Sequence, residues 1–338
     1  MATIYEVSKL AGVSLATVSR VMNQSPNVSE KTRKKVSAAM AQLDYRPNSV
    51  AQSLASNRSN CVGVLVSELH GPFYGAMIGG IEGELRKANK HIILTAGHSD
   101  ESREREGIDF LISRNCDALI LHVEAVSDRY LTELSKGRIP IVLINRLVPD
   151  IEDHCLFLNN ELGGYLATKA LLDMGHKDIA YISGPLWKSD AKDRFSGHKR
   201  ALAEHGLSCS PQTVFEGDYL ESGGYEGMEH FINEKLPCSA LACGNDEMAT
   251  GAMAKAREHG LNLPAELSII GFDNVLFSSY TYPKLTTINH PIDDMGHIAA
   301  KAILKSVYNI KQDVIPKVFE PRLIARDSII PLESTDTL

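Results

Sequence analysis

Apolar residues recur at helical spacing near the start of the chain and in short continuous runs further on. Ile4, Val7, Leu10 and Ala11 fall three or four positions apart, which predicts a first helix over "TIYEVSKLA". Gly12 follows where a tight turn takes a left-handed residue. Ser14 is placed to cap the next helix by accepting from the free amides of its first turn. That second helix, residues 15 to about 23, carries Val18, Val21 and Met22 on one stripe and Leu15, Ala16, Ser19 and Arg20 on the opposite face. Ser29 caps a third helix running to about residue 43, with Val36, Met40 and Leu43 inward and Lys31, Arg33, Lys34 and Lys35 outward. Two short helices around a glycine turn, then a basic third helix, make a helix-turn-helix.

The second helix has the composition of a reader of the DNA major groove. Small side chains let it approach the base edges. Leu15 and Ala16 can meet thymine methyls, Arg20 can fork onto guanine O6 and N7, and Ser19 and Thr32 can hold phosphates. Pro47 ends the third helix, and Asn48 caps a short new one bearing Val50, Ala51 and Leu54. A helix below about 12 residues is marginal alone, so DNA or a second copy must hold it. Leu54 is placed to wedge between minor-groove base steps.

From Cys61 onward the pattern changes. "CVGVLVS", "HIILTAG", "ALILHV", "IVLINR", "CLFLNN", "DIAYISG", "TVFEG", "ALACGN" and "LSIIGF" are short and almost wholly apolar, as strands buried on both faces of a parallel sheet are. Helical patterns separate them: "AMIGGIEGELRKA", "EREGIDFLISR", "LGGYLATKALLDMG", "RFSGHKRALAEHG", "YEGMEHFINE" and "MATGAMAKAREHG". Strand–helix alternation predicts an α/β fold, and nine strands exceed one comfortable unit, so two doubly wound subdomains dividing near residue 160 are expected.

Charge separates the two regions further. Residues 1–60 hold eight bases against three acids, a net +5, whereas the rest carries −12 in a chain of net charge −7. A basic head on an acidic body points to a polyanion partner for the head alone. At 338 residues the chain can bury full cores without staples. Its six scattered cysteines form no C-x-x-C, which favours free thiols in a reducing compartment over a metal site or disulfide framework. No basic leader with an apolar stretch opens the sequence and no apolar run approaches 18 residues, so a cytoplasmic location and no membrane partner are expected.

No G-x-G-x-x-G, P-loop or metal motif follows any strand, and no nucleophile triad or paired carboxylate stands out, so neither an enzyme nor a cofactor is expected. The glycine pair in "IGGIE" reads as helix packing, and His176 in "MGHKD" as a capping or surface residue at a helix-to-strand turn. Ligands of doubly wound sheets bind beyond the carboxyl ends of the strands. Asn145, Asn245, Asp246 and Asp273 stand there, and Arg194 opens the helix after "YISGPLWKSDAKD". Carboxylates, carboxamides and a guanidinium suit a polyhydroxylated ligand, because each can bond two adjacent hydroxyls. Phe73, Tyr74, Tyr219 and Trp187 are candidates for the ring that covers a sugar's C–H face. A sugar transport receptor would need an export signal and would have no use for the basic head.

Five segments, "TIYEVSKLAGVSLATVSRVMN", "VSEKTRKKV", "YRPNSVAQSLA", "GNDEMATGAM" and "IIGFDN", occur in this order over nearly the whole chain and resemble the LacI/GalR family of bacterial transcription regulators. "GPFYGAMIGGIE", "IVLINRLVP" and "LESGG" further resemble its galactose-repressor branch. The resemblance implies a type I periplasmic-binding-protein fold behind the head, the chain crossing back near residues 289–291. Expected domains are a helix-turn-helix over 1–46, a hinge over 47–60 and an effector and dimerisation domain over 61–338. Its N-subdomain takes about 61–160 plus 291–322, and its C-subdomain 161–290 plus 323–338.

By resemblance, Phe73, Asn145, Arg194, Tyr219, Asn245 and Asp273 match the family's effector contacts. Residues assigned to DNA are Ile4, Leu15, Ala16, Ser19, Arg20, Asn23, Asn27, Ser29, Thr32, Tyr45, Asn48, Ala51 and Leu54. The expected protein is a sequence-specific repressor that binds double-stranded operator DNA as a homodimer under control of a galactose-like sugar. A different sugar or a purine stays open as effector, as does co-repression in place of induction. "RDSIIPLESTDTL" has no leucine heptads, so dimers rather than tetramers are expected.

Overall fold

The computed structural model describes residues 2–22, 27–45, 58–313 and 316–332, which fall into two compact units, 1–60 and 61–338. In the first unit, Thr3 and Glu6 form a reciprocal cap that starts helix α1 (Ile4–Ala11). Gly12 closes it at φ 63°, a left-handed conformation that glycine adopts without a Cβ clash. The Ser14 hydroxyl accepts from the Thr17 amide at 3.2 Å and caps α2 (Leu15–Met22), and Ser29 caps α3 (Glu30–Gln42). Val7, Ala11, Val18, Val21, Val36 and Ala39 form the buried centre of this unit, with Ile4, Met22, Met40, Leu43 and Tyr45 half-buried around it. The short hinge helix, with its expected contacts Asn48, Ala51 and Leu54, and also Asn23, lie outside the described residues.

In the second unit, strands β1 (Cys61–Val66), β2 (His91–Ala96), β3 (Ala118–Leu121), β4 (Ile141–Ile144) and β5 (Cys155–Leu158) alternate with helices α4 (Pro72–Lys87), α5 (Glu101–Ser113) and α6 (Asp128–Ser135). A second set follows: α7 (Asn160–Asp173), β6 (Ile179–Ser183), α8 (Ser189–Glu204), β7 (Val214–Glu216), α9 (Glu221–Asn233), β8 (Ala240–Cys243), α10 (Asp246–Glu258), β9 (Ser268–Asp273) and β10 (Thr286–Asn289). The chain then returns to the first lobe through α11 (Ile292–Tyr308) and β11 (Val318–Phe319), and ends in the second at β12 (Arg322–Ile324).

Two six-stranded sheets result, ordered β11-β5-β4-β3-β1-β2 and β12-β10-β9-β8-β6-β7. Neighbours run parallel except β12, which pairs antiparallel with β10. Each sheet has an apolar cluster on either face. That two-sided burial is why β3, β4 and β8 read as unbroken apolar runs. Strand order reverses at β1 and at β6, and such switch points open a crevice beyond the carboxyl ends of the strands.

Several expectations need correction. Arg322, expected on the first lobe, pairs with Asn289 in the second sheet. Arg194 lies within α8 rather than at its start, because the helix begins at Ser189. His176 is not a surface residue; it is buried, its Nδ1 2.9 Å from the Ser239 hydroxyl and its Nε2 3.0 Å from the Ile330 carbonyl, and so ties the last segment to the second lobe. Asp246 sits beneath the crevice, accepting from Thr287 Oγ1 and the Val275 amide at 2.6 and 2.9 Å. Three strands, β10 to β12, and two helices, α6 and α11, were not anticipated.

Glycines set the spacing of the helix layers. A Cβ at Gly164 would stand 1.9 Å from the Arg194 carbonyl oxygen, and one at Gly197 2.0 Å from that of Glu161, so α7 and α8 cross backbone to backbone. Gly224 and Gly251 do the same for α9 and α10, each 1.9 Å from a facing carbonyl; Gly80 of the "IGGIE" pair and Gly296 do so for α4 and α11 at 2.4 Å. Overpacking of this kind typically costs about 1–3 kcal/mol. Gly164→Ala is therefore expected to lower the urea midpoint by the equivalent of about 2–3 kcal/mol. A midpoint equal to the parent's would contradict so close a crossing.

Candidate functional site

Loops after β1, β2, β3 and β4 on the first lobe face those after β6, β7, β8 and β9 on the second across a cavity of about 360 Å³. This lies in the lower part of the roughly 300–1,000 Å³ range of small-molecule sites. All six expected effector residues line it: Phe73, Asn145, Arg194, Tyr219, Asn245 and Asp273. Trp187, half exposed, and Tyr74 line it as well.

At the centre stands Arg194, 3% exposed, on the second turn of α8. It donates to the Asn160 carboxamide at 2.9 Å, the Gly244 carbonyl at 2.7 Å and Asp273 Oδ1 at 3.4 Å, and its guanidinium lies 3.7 Å over the Phe272 ring. Burial works against its charge, but the carboxylates of Asp273 and Asp190 beside it favour the charged form, and its pKa is raised. Asp273 also meets Nδ1 of His290 at 3.4 Å, and burial pulls that imidazole below its usual pKa, so it stays neutral at pH 7. Phe73 packs edge-on to Tyr74, His122 and His290, with ring centroids 5.1 to 6.1 Å away.

Backbone strain gathers here. His98, Ser99, Asn145, Tyr219 and Asp273 all line the cavity and all have positive φ, from 51° at Ser99 to 104° at Asp273. Non-glycine residues rarely adopt such angles, which persist where surrounding structure over-determines them, commonly at ligand sites. The Tyr219 ring lies so close to Gly184 that a Cβ there would stand 2.2 Å from it.

Three buried polar atoms in this wall have no protein partner among the described residues: Nε2 of His122, Oδ1 of Asn145 and the hydroxyl of Tyr219. Leaving such a group unmet costs about 1–3 kcal/mol, so each can pair with a polar group that enters the cavity. Burial lowers the pKa of His122 and raises that of Tyr219, so both are neutral hydrogen-bonding groups. Asn245 is engaged differently. Its Oδ1 caps α10 through the Met248 amide at 2.9 Å, and its Nδ2 donates to the Tyr219 carbonyl at 2.8 Å, so it holds Tyr219 in place.

On the head, Ala16 and Arg20 are exposed on α2, with Leu15 and Ser19 half-buried beside them. Lys31, Lys34 and Lys35 are exposed on α3. Asn27 is exposed before α3, and the hydroxyls of Ser29 and Thr32 lie 2.9 Å apart at its start. Ile4 and Tyr45 pack half-buried on the head's core.

The profile of bacterial regulatory proteins of the lacI family matches residues 3–48, and that of a periplasmic binding protein-like domain matches residues 168–329. The HTH-type transcriptional regulator GalR of Escherichia coli (strain K12) is 40% identical over 329 residues, covering 97% of this chain and 96% of the relative. The chain belongs to the LacI family of bacterial regulatory proteins. The HTH-type transcriptional repressor PurR of Glaesserella parasuis serovar 5 (strain SH0165) is 35% identical, over 97% of this chain and 98% of its own. A lac repressor dimer bound to operator and the anti-inducer ONPF superimposes with a TM-score of 0.85 at 28% identity, covering 97% and 99% of the two chains. The protein is thus a DNA-binding transcriptional repressor of that family, with a helix-turn-helix ahead of a two-sheet α/β domain.

Sequence reading did not single out several residues of this LacI-family cleft: Glu68, His98, Ser99, His122, Glu124, Lys188, Asp190, Asp218 and Glu247. Nearly all follow strands, so applying the strand-end rule to β1, β2, β3, β6 and β7 would have found most of them. Among the described residues no cluster of His, Cys, Asp or Glu is arranged to hold a metal, and no helix is long and apolar enough to cross a membrane.

Proposed function

We propose that the cleft takes a small neutral sugar, galactose by the motifs that resemble the galactose-repressor branch, and that the sugar controls how tightly a homodimer of this repressor holds its operator. The observation carrying this reading is the set of three unpartnered buried polar atoms, contributed by both lobes to one cavity. A ligand that meets all three bonds across the gap and so favours one arrangement of the lobes over another. Binding the two arrangements unequally is the condition for any allosteric effect.

Charge in the cleft argues for an uncharged ligand. Six carboxylates line it (Glu68, Glu124, Asp190, Asp218, Glu247 and Asp273) against two fixed cations, Lys188 and Arg194. Both cations are already engaged, Lys188 with Glu124 at 2.7 Å and Arg194 with Asp273 at 3.4 Å. A phosphate or carboxylate group would therefore enter without a free counter-charge. Leu15, Ala16, Ser19 and Arg20 would read the operator, with the basic face of α3 nearby. Leu276, Tyr280 and Tyr282, exposed by 68 to 86%, offer the second lobe an apolar patch for a second copy. The location would be cytoplasmic.

The test uses an operator selected from random duplexes and calorimetry with galactose, glucose, ribose, galactose 1-phosphate and hypoxanthine. Galactose is expected to bind and to weaken operator binding by about 5- to 150-fold, the usual span of allosteric coupling. Tighter binding of hypoxanthine would replace the sugar reading with a purine one. Operator affinity unchanged at saturating galactose would sink the control step.

A further inference from the structure

The loop after β3 is held from two sides. The buried Glu104 carboxylate accepts from the amides of Glu124 at 2.8 Å, Ala125 at 3.0 Å and Val126 at 2.7 Å. Arg146 donates to the carbonyls of Val123 and Val126 at 3.3 and 2.8 Å and to Asp128 at 2.7 Å. With its backbone groups met in this way, the loop is a fixed frame from which Glu124 projects. The Glu124 carboxylate accepts from Ser67 at 3.2 Å and from Ser99, and lies 2.7 Å from the ammonium of Lys188 on the opposite lobe.

Both charged side chains are nearly buried, at 13 and 10% exposure. Lys188 also donates to Ser99 at 3.1 Å, and its ammonium stands 5.5 and 5.6 Å from the ring centres of Trp187 and Tyr219. One cation thus joins a rigid loop of the first lobe to the aromatic wall of the second.

We propose that Glu124 and Lys188 are positioning residues of the effector site: a cross-cleft clasp that sets how firmly the lobes close on the ligand. The proposal rests on the effector reading above. In the closed arrangement the pair is almost dry, where attraction between opposite charges is strong but a lone ion is costly. Opening the cleft returns both ions to water and cancels most of that attraction. The pair therefore weights the equilibrium toward closure before any ligand arrives, and a ligand that needs the closed form gains affinity from it. Closure also presents Tyr219, because Lys188 packs against that ring.

Charge reversal separates this role from a merely structural one. Glu124→Lys, Lys188→Glu and the double swap are to be made in the full chain, with galactose calorimetry as readout. Each single reversal is expected to weaken binding by about tenfold or more, and the swap to return it to within about threefold of the parent, the signature of direct coupling in a double-mutant cycle. Lys188→Gln, a milder change that keeps a donor toward Ser99, is expected to lose about fivefold, because it removes only the ionic part. Parent-like affinity in the singles or in Lys188→Gln, or a swap no better than the weaker single, overturns the clasp and leaves the sugar reading standing. A parent that takes up none of the sugars overturns the sugar reading, and the clasp with it.

Discussion

Asp273→Ala is expected to weaken sugar binding by about a hundredfold or more and to leave operator binding insensitive to the sugar. Asp273 is 9% exposed, at φ 104°, and shares Oδ1 between Arg194 and His290. Truncating one partner of a buried charge pair costs about 3–5 kcal/mol, and each 1.4 kcal/mol is a factor of ten in affinity. Part of that loss appears as lowered stability, since Arg194 would be left buried with only Asp190, 3.8 Å away, as counter-charge. Asp273→Asn separates the two effects. Asparagine tolerates positive φ and keeps an acceptor, so the fold should hold while charge-assisted bonding to hydroxyls is lost. Calorimetry and thermal denaturation on both variants provide the check. Parent-like sugar affinity in the alanine variant would remove Asp273 from the site.

The second large effect belongs to the head. Arg20→Ala is expected to reduce operator affinity by about 30-fold to ten-thousandfold at moderate salt. A bidentate arginine–guanine contact is worth about 1–3 kcal/mol, and two-fold symmetry counts it twice. Arg20 is exposed on α2 and contributes nothing to the head's core, so thermal stability and sugar affinity should stay at parental values. Arg20→Lys should not rescue, because an ammonium lacks the planar fork that matches O6 and N7. Undiminished promoter occupancy in Arg20→Ala would mean that α2 does not read the bases through this residue.

Both effects belong to one chain because the two units divide the work. The head carries exposed cations and a small-residue helix, suited to a polyanion. The body places five positive-φ residues and three unpartnered polar atoms around a cleft whose two walls come from separate lobes. Any ligand that bonds both walls changes the relative energy of lobe arrangements, which gives it a lever that a ligand on one wall would lack.

Most of the framework is legible in the sequence. Continuous apolar runs marked nine of the twelve strands among the described residues, because burial on both faces leaves few polar positions. The missed strands were hidden for physical reasons. β10 is "TTIN", whose Thr286 and Thr287 are fully buried with their hydroxyls bonded to the Arg326 amide and Asp246, so the polar letters concealed an interior strand. β11 and β12 are two and three residues long and lie at sheet edges, too short for any period to register. Helix α11 does carry an apolar stripe, Ile292, Met295, Ala299, Ile303 and Val307, yet was not anticipated beyond the expected crossover.

Local sequence, then, determined what depends on neighbours a few residues away: caps at Thr3, Ser14 and Ser29, the left-handed turn at Gly12, the alternation of strand and helix, and the polar residues that end β4, β8 and β9. Only the tertiary structure decided which strand ends face one another. The Glu124–Lys188 pair, the burial of His176 and the stacking of Arg194 on Phe272 each join segments far apart in the chain. Such contacts depend on how separate segments pack in space, and spacing along the sequence carries no record of that.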